Sequence, residues 1–264
     1  MFLKTNRYQL FDNLEIKESI FQEFELPNHF HDSFCFGLMS SGIKNSIVEK
    51  KSQTVHSNSV SIINPYQVHS DKNIDTNNCH LKMIYVNKDV VNFFSNNSNI
   101  LFTNDLITNP KISNAVLSFF NDKENENLLQ NKLKYLIENL ISEGFVNDES
   151  IIKNECKNAI DDCVENLKLS FSDKIDLNKM SSESKLNKFQ FIRHFKKKTG
   201  ITPASYILNL RINYAINLLM KDFPIGQIAL EVGFYDHSQF CKFFKYYTNI
   251  SPTDYKRNCN IIQA

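Results

Sequence analysis

"FKKKTGITPASY" occupies residues 195–206, and "FKYYTNISPTDY" occupies residues 244–255. They are one phrase written twice at an offset of 49. Phe191/Phe240, Phe195/Phe244, Lys196/Lys245, Thr199/Thr248, Ile201/Ile250, Pro203/Pro252 and Tyr206/Tyr255 are identical, and Arg193/Lys242 and Thr202/Ser251 are conservative. Upstream the offset becomes 48, pairing Leu177 with Ile225, Met180 with Ile228 and Leu186 with Phe234. One residue was gained or lost where a turn absorbs it. Two copies of one supersecondary unit explain the pattern.

Each copy reads as a helix-turn-helix. In the first, Leu177 and Met180 lie three apart on a short helix and "SSESKLN" (181–187) makes a turn. Asn187 is a suitable N-cap for a second helix over 188–199, which buries Phe191 and Phe195 at i, i+4 and ends at Gly200. In the second copy Pro224 precedes a short helix marked by Ile225 and Ile228, and "EVGFYD" makes the turn. Gly233 supplies positive φ there, and Asp236 caps a helix over 237–247. Residues 203–221 form one long helix between the copies, which places the units at about 174–200 and 223–248.

The major groove of B-DNA admits an α-helix whose exposed residues reach base edges. The groove-facing candidates are Phe189, Gln190, Ile192 and Arg193 on one helix and His237, Ser238, Cys241 and Lys242 on the other. Arg193 suits guanine, Gln190 adenine and Phe189 a thymine methyl, while Lys188 shares that outer surface. Lys196, Lys197 and Lys245, with backbone amides near the helix starts, suit phosphates. Solvated charge at Lys196 and Lys197, and packing at Ile192 and Cys241, are the plainer alternatives. Charge fits either a polyanionic partner or an ordinary solvated surface: residues 1–150 carry 13 Lys+Arg against 18 Asp+Glu, whereas residues 174–264 carry 14 against 6.

"IGQIALEVGFYDHSQFCKFFKYYTNISPTDYKRN" (225–258) resembles the signature of AraC/XylS-type transcriptional regulators. The resemblance runs over about 153–257 and rests on I-x-x-I-A-x-x-x-G-F-x-D, F-x-x-x-F-K and "SPTDYKR". It implies two helix-turn-helix units on one linker helix, entering successive major-groove segments on one face of promoter DNA. It also implies RNA polymerase as the partner of an activator. One departure stands out: the first turn reads "SKLN", so Lys185 takes a place that favours positive φ, at a cost of about 1 kcal/mol.

The first half reads as strands: "SIFQEFEL" (19–26), "SFCFGLMSSG" (33–42), "KNSIVEK" (44–50), "NSVSIINP" (58–65) and "CHLKMIYV" (79–86). Their spacing suits a small barrel or sandwich. Helices follow, with Pro110 at a first helical position. Residues 126–143 carry Leu129, Leu133, Leu136 and Leu140 in a seam that either packs on the barrel or zips against a second subunit as a homodimer. The fold class is α+β in two domains: a cupin-like barrel with packed helices over 1–145, a linker over 146–152, and an all-α double helix-turn-helix domain over 153–264.

"PNHFHDSFCFGLMSSG" (27–42) and "INPYQVHS" (63–70) resemble the cupin-like sensor domain common in AraC-type proteins. In that resemblance His29, His31 and His69 line up with three cupin metal-ligand positions, and such regulators often use the barrel to hold a small molecule. The usual carboxylate falls near Cys35, with no Asp or Glu in its place. Three roles stay open for the histidines: effector contact or gating, structure, or a metal site for zinc or iron. No cofactor is assigned. Phe34, Phe36, Ile62 and Met83 either line a pocket or form a packed core.

Other classes are disfavoured. No apolar run reaches the ~18 residues of a membrane helix, and the N-terminus lacks a signal-peptide pattern, which predicts a soluble cytoplasmic chain. The six cysteines form no CxxC pair, and Cys156 and Cys163 lie about 10 Å apart along a helix, too far to bond. There is no G-x-S-x-G, Walker loop or HExxH, so no catalytic residue is assigned. The expected function is sequence-specific transcriptional regulation under a small-molecule or protein signal. A metal-dependent cupin enzyme with a DNA-binding appendage is the alternative.

Overall fold

A computed structural model describes residues 2–8, 14–75, 77–97, 100–120, 126–143, 146–148, 159–219, 221 and 223–262. Cys156 and most of the expected linker lie outside them. The chain divides into two compact units. One comprises Met1–Glu25, Phe30–Asn154 and Asn258–Ala264, the other Leu26–His29 and Glu155–Arg257.

Two main sheets and one two-stranded sheet form the N-terminal part. The larger contains β1 (Phe2–Tyr8), β2 (Leu14–Phe21), β4 (Phe34–Ser41), β7 (Val60–Ile63), β9 (Cys79–Val86), β11 (Leu106–Ile107) and β13 (Cys259–Ile262), in the order β11-β7-β4-β9-β2-β1-β13. Its pairs are antiparallel except β1 with β13, where Thr5 stands opposite Cys259. The smaller sheet orders β3 (Glu25–His29), β8 (His69–Asn73), β5 (Lys44–Val48) and β6 (Lys51–Val55) as β3-β8-β5-β6. β10 (Ile100–Phe102) pairs with β12 (Val146–Asp148), so the expected linker begins as a strand.

Period-two alternation sorts the faces of the large sheet. Phe34, Phe36 and Leu38 of β4 join Val60, Ile62, Ile84 and Val86 in one core with three helices, α1 (Lys88–Ser95), α2 (Pro110–Ser118) and α3 (Glu126–Ser142). Phe102 meets Phe34 and Phe36 edge-on at 5.4 and 5.5 Å. The opposite face carries a second cluster of Cys35, Val48 and Ile63, with Met83 and Tyr85 against it. Phe34, Phe36 and Ile62 are therefore core residues, and of the four pocket candidates only Met83 lies on the other face.

The leucine seam is corrected. Leu129, Leu133, Leu136 and Leu140 are each 0% exposed and fill this same core. Burying a leucine stabilises by about 1.5–3 kcal/mol. Four fully covered side chains have no surface to offer a second subunit.

The C-terminal unit is helical: α4 (Ala159–Ser170), α5 (Leu177–Glu183), α6 (Lys188–Thr199), α7 (Pro203–Leu219), α8 (Ile225–Glu231), α9 (His237–Thr248) and α10 (Pro252–Arg257). α7 packs against α6, α8 and α9, so one helix supports the second helix of both copies. Among the described residues, no helix is long and apolar enough to cross a membrane.

Candidate functional site

The repeated phrase is a repeated corner. Phe191 and Phe195 on α6, and Phe240 and Phe244 on α9, are fully buried. Phe195 meets Tyr206 edge-on at 5.5 Å, and Phe244 meets Tyr255 the same way at 5.5 Å. Thr199 Oγ1 lies 2.9 Å from the carbonyl oxygens of Phe195 and Ile201. Thr248 Oγ1 lies 2.7 Å from that of Phe244 and 3.0 Å from that of Ile250. Pro203 and Pro252 then open the next helices, where a missing N–H costs nothing. These repeated Phe, Thr, Pro and Tyr letters fix how one helix leaves the other.

With the phenylalanines inward, the opposite faces are exposed. Phe189 is 85% exposed, and Lys188, Gln190, Arg193, Lys196 and Lys197 are also exposed, while Ile192 is half-buried. On α9, His237, Ser238, Lys242 and Lys245 are exposed and Cys241 is half-buried, 3.5 Å from His237 Nε2. Burial pushes the Cys241 thiol up, so it stays protonated at neutral pH. Lys198 is held by Asp161 at 2.8 Å. Lys196, Lys197 and Lys198 end α6 and Lys245 ends α9, where cations are favoured by the helix dipole.

Both exposed helices start alike. Asn187 Oδ1 accepts from Gln190 N at 3.0 Å, and Gln190 Oε1 accepts from Asn187 N at 3.2 Å. In the other copy Asp236 Oδ1 accepts from Gln239 N at 2.7 Å, and Gln239 Oε1 accepts from Tyr235 N at 3.3 Å. Gln190 is thus a cap residue in the free protein, and reading adenine bidentately requires it to release that bond.

The three histidines converge. His29 ends β3, His31 follows it, and His69 opens β8; one nitrogen from each lies within 4.8 Å of the others. His29 and His69 are buried. His29 Nδ1 lies 2.8 Å from the Pro27 carbonyl oxygen, and His69 Nδ1 lies 3.0 Å from that of Gln67. A carbonyl only accepts, so both Nδ1 atoms carry a proton. His31 contacts the His69 ring at 5.1 Å and the Tyr85 ring at 5.0 Å. Burial pushes the Cys35 thiol up to about 12 and raises the Tyr85 phenol well above its ordinary value, so neither is an anion at neutral pH.

Comparison with known proteins decides the family. Residues 13–137 match the AraC-like ligand binding domain, and residues 180–258 match a helix-turn-helix domain. The chain belongs to the AraC family of transcriptional regulators. An uncharacterized HTH-type regulator of Bacillus subtilis, YbfI, is 26% identical over 255 residues, covering 89% of each chain. The MmsAB operon regulatory protein of Pseudomonas aeruginosa is 31% identical over 85 residues, which cover 32% of this chain and 28% of that one. The fold matches ToxT of Vibrio cholerae. The apo form gives a TM-score of 0.64 at 17% identity, covering 92% of this chain and 97% of that one. The unsaturated-fatty-acid-bound form gives 0.61 at 18%, covering 97% and 94%.

Some structure of this AraC-family chain is invisible in the motifs. Arg211, mid-way along α7, is buried. Its Nε donates to the Phe171 carbonyl at 2.8 Å, and its Nη atoms donate to those of Asp173 (2.9 Å) and Gly233. One guanidinium thereby ties the α4–α5 connection to the second turn. Tyr235, 90% exposed just before the cap of α9, belongs with the exposed aromatics and was not among the candidates; its place in the turn was the available signal. The loop leading into His69 is locked by Asn64, which exchanges two 2.9 Å bonds with the Phe102 backbone, and by Gln67, which donates to Asp105 at 3.0 Å.

Proposed function

We propose that this regulator binds double-stranded promoter DNA through α6 and α9 together, and that a signal at the histidine side of the barrel controls it. The carrying observation is the doubled corner, which turns two equivalently capped helices outward along exposed basic faces. Arg193 and Lys242 occupy the same place in the two copies and are assigned to base edges. Phe189, Ile192, His237, Ser238 and Cys241 surround them, while Lys188, Lys196, Lys197 and Lys245 hold phosphates. Tyr235 joins them at the second turn.

The sensing domain is assigned to 1–145 and the DNA-binding domain to 153–264. His29, His31 and His69 contact the effector or gate it, in a cytoplasmic activator that works on RNA polymerase. An effector shifts the regulator only as far as it binds the two states differently. A homodimer would need a surface other than the buried leucine seam.

Promoter binding by the full chain tests the reading. Arg193→Ala and Lys242→Ala should each weaken binding by about 1–3 kcal/mol and relax sequence preference. Lys196→Ala should weaken it evenly across sequences and lower the salt slope by about 1. If neither Arg193→Ala nor Lys242→Ala weakens binding, the groove assignment is wrong.

A further inference from the structure

We propose that β12 is a releasable latch on the sensing unit, and that Asn64 links its pairing partner β10 to the turn beside the histidines. This gives a route to the control assigned above to the histidine side, and it rests on that reading only for its effect on DNA binding.

The turn of residues 64–67 is held at both ends. On the histidine side, Tyr66 N donates to the His31 carbonyl at 2.7 Å, and the Gln67 carbonyl accepts from His69 Nδ1 at 3.0 Å. Within the turn, Asn64 N donates to Gln67 Oε1 at 2.9 Å, and Gln67 N donates to the Asn64 carbonyl at 3.1 Å. Tyr66 sits at φ 63°, a left-handed conformation that a bulky residue keeps only when its surroundings impose it. The turn therefore moves as one piece. On its far side, Asn64 Nδ2 donates to the Phe102 carbonyl and Asn64 Oδ1 accepts from Phe102 N, both at 2.9 Å. One side-chain amide thus stands in for a neighbouring strand on β10, and a shift of His31 or His69 pulls on the β10 backbone.

β10 in turn holds the segment that leaves the sensing unit. β10 and β12 make a two-stranded sheet of three residue pairs, Ile100 with Asp148, Leu101 with Asn147 and Phe102 with Val146. So small a ladder is marginal by itself and opens at low cost. Phe102 anchors β10, its ring buried against Phe34 and Phe36, so β12 is the strand that releases. Beyond β12 the chain passes to the helical unit at Glu155. A ladder with paired and released states, tied to the histidine turn and lying on the segment that joins the units, is the two-state element that coupling requires.

The test uses hydrogen exchange and promoter binding of the full chain. Asn64→Ala should speed exchange of the 146–148 amides at least tenfold while β4 stays protected. His69→Ala should do the same in smaller measure. Asn73→Ala, at the other end of β8, should leave β12 unchanged. Asn147→Pro disfavours the ladder from the β12 side. It should shift promoter affinity at least threefold, in the same direction as Asn64→Ala. A Leu101→Cys, Asn147→Cys disulfide, across one residue pair of the ladder, should cancel the Asn64→Ala shift when oxidised and restore it when reduced, with the equally treated wild-type chain as control. A general weakening of the barrel would not be rescued in this way. If Asn64→Ala does not fold, His69→Ala decides the coupling and Asn147→Pro its effect on DNA. Wild-type β12 amides that exchange as unpaired chain overturn the inference. So does β12 exchange that ignores Asn64 and His69, or a promoter affinity that Asn147→Pro leaves unmoved. A wild-type chain that binds no promoter while Asn64→Ala still frees β12 defeats the function proposed above and leaves the latch standing.

Discussion

The two helix-turn-helix copies meet one backbone demand with their glycines exchanged. Each copy needs a left-handed residue in its turn and another at the end of its second helix. Copy one places Lys185 (φ 54°) in the turn and Gly200 (φ 84°) at the end. Copy two places Gly233 (φ 84°) in the turn and Asn249 (φ 66°) at the end. The sequence departure at Lys185 therefore leaves the turn geometry in place, at a strain of about 1 kcal/mol. Glycine becomes obligatory only where another backbone approaches. A Cβ on Gly233 would lie 2.2 Å from the Ser172 carbonyl oxygen and 3.0 Å from Arg211 Cζ. Lys185 is exposed.

This difference can be broken or sharpened by substitution, read from urea unfolding followed by circular dichroism because the chain lacks Trp. Gly233→Ala should have the largest effect. Left-handed strain and a backbone clash together should cost about 2–5 kcal/mol. A loss under about 1 kcal/mol would show that the close approach to Ser172 is not maintained. Arg211→Met comes next. It strips the Phe171, Asp173 and Gly233 carbonyls of their donor and should cost about 2–4 kcal/mol. Lys185→Gly should do the reverse and stabilise by about 1 kcal/mol, since its turn is open to solvent. Asn249→Gly should give the smallest gain, a few tenths of a kcal/mol, because Asn tolerates the left-handed region better than Lys.

The same contrast explains what was legible in the sequence. The double unit could be read because most repeated letters do local work: Phe191 and Phe240 are buried one helical turn before Phe195 and Phe244, and Pro203 and Pro252 start helices. Arg211 could not, because its acceptors lie up to 40 residues away. β4 and β9 were visible as apolar alternating runs. β6 ("KSQTV") and β8 ("HSDKN") were not, since short polar strands carry no apolar period. β13 was hidden because a four-residue strand that pairs with β1 across nearly the whole chain leaves no local trace. The leucines of α3 revealed a buried face but not what covers it. At the histidines the sequence supplied the residue types. The 4.8 Å convergence and the two Nδ1 bonds came only with the fold. Gln190 shows the opposite limit, since one side chain at one helix start suits both a cap and a base reader.

Footprinting the full chain on its promoter with hydroxyl radicals is the most direct measurement. Two protected patches are predicted on one face of the duplex, about one helical turn apart, with Arg193→Ala erasing one and Lys242→Ala erasing the other. A single patch, or two patches that both survive either substitution, would contradict a protein that reads DNA with both copies of its repeated corner.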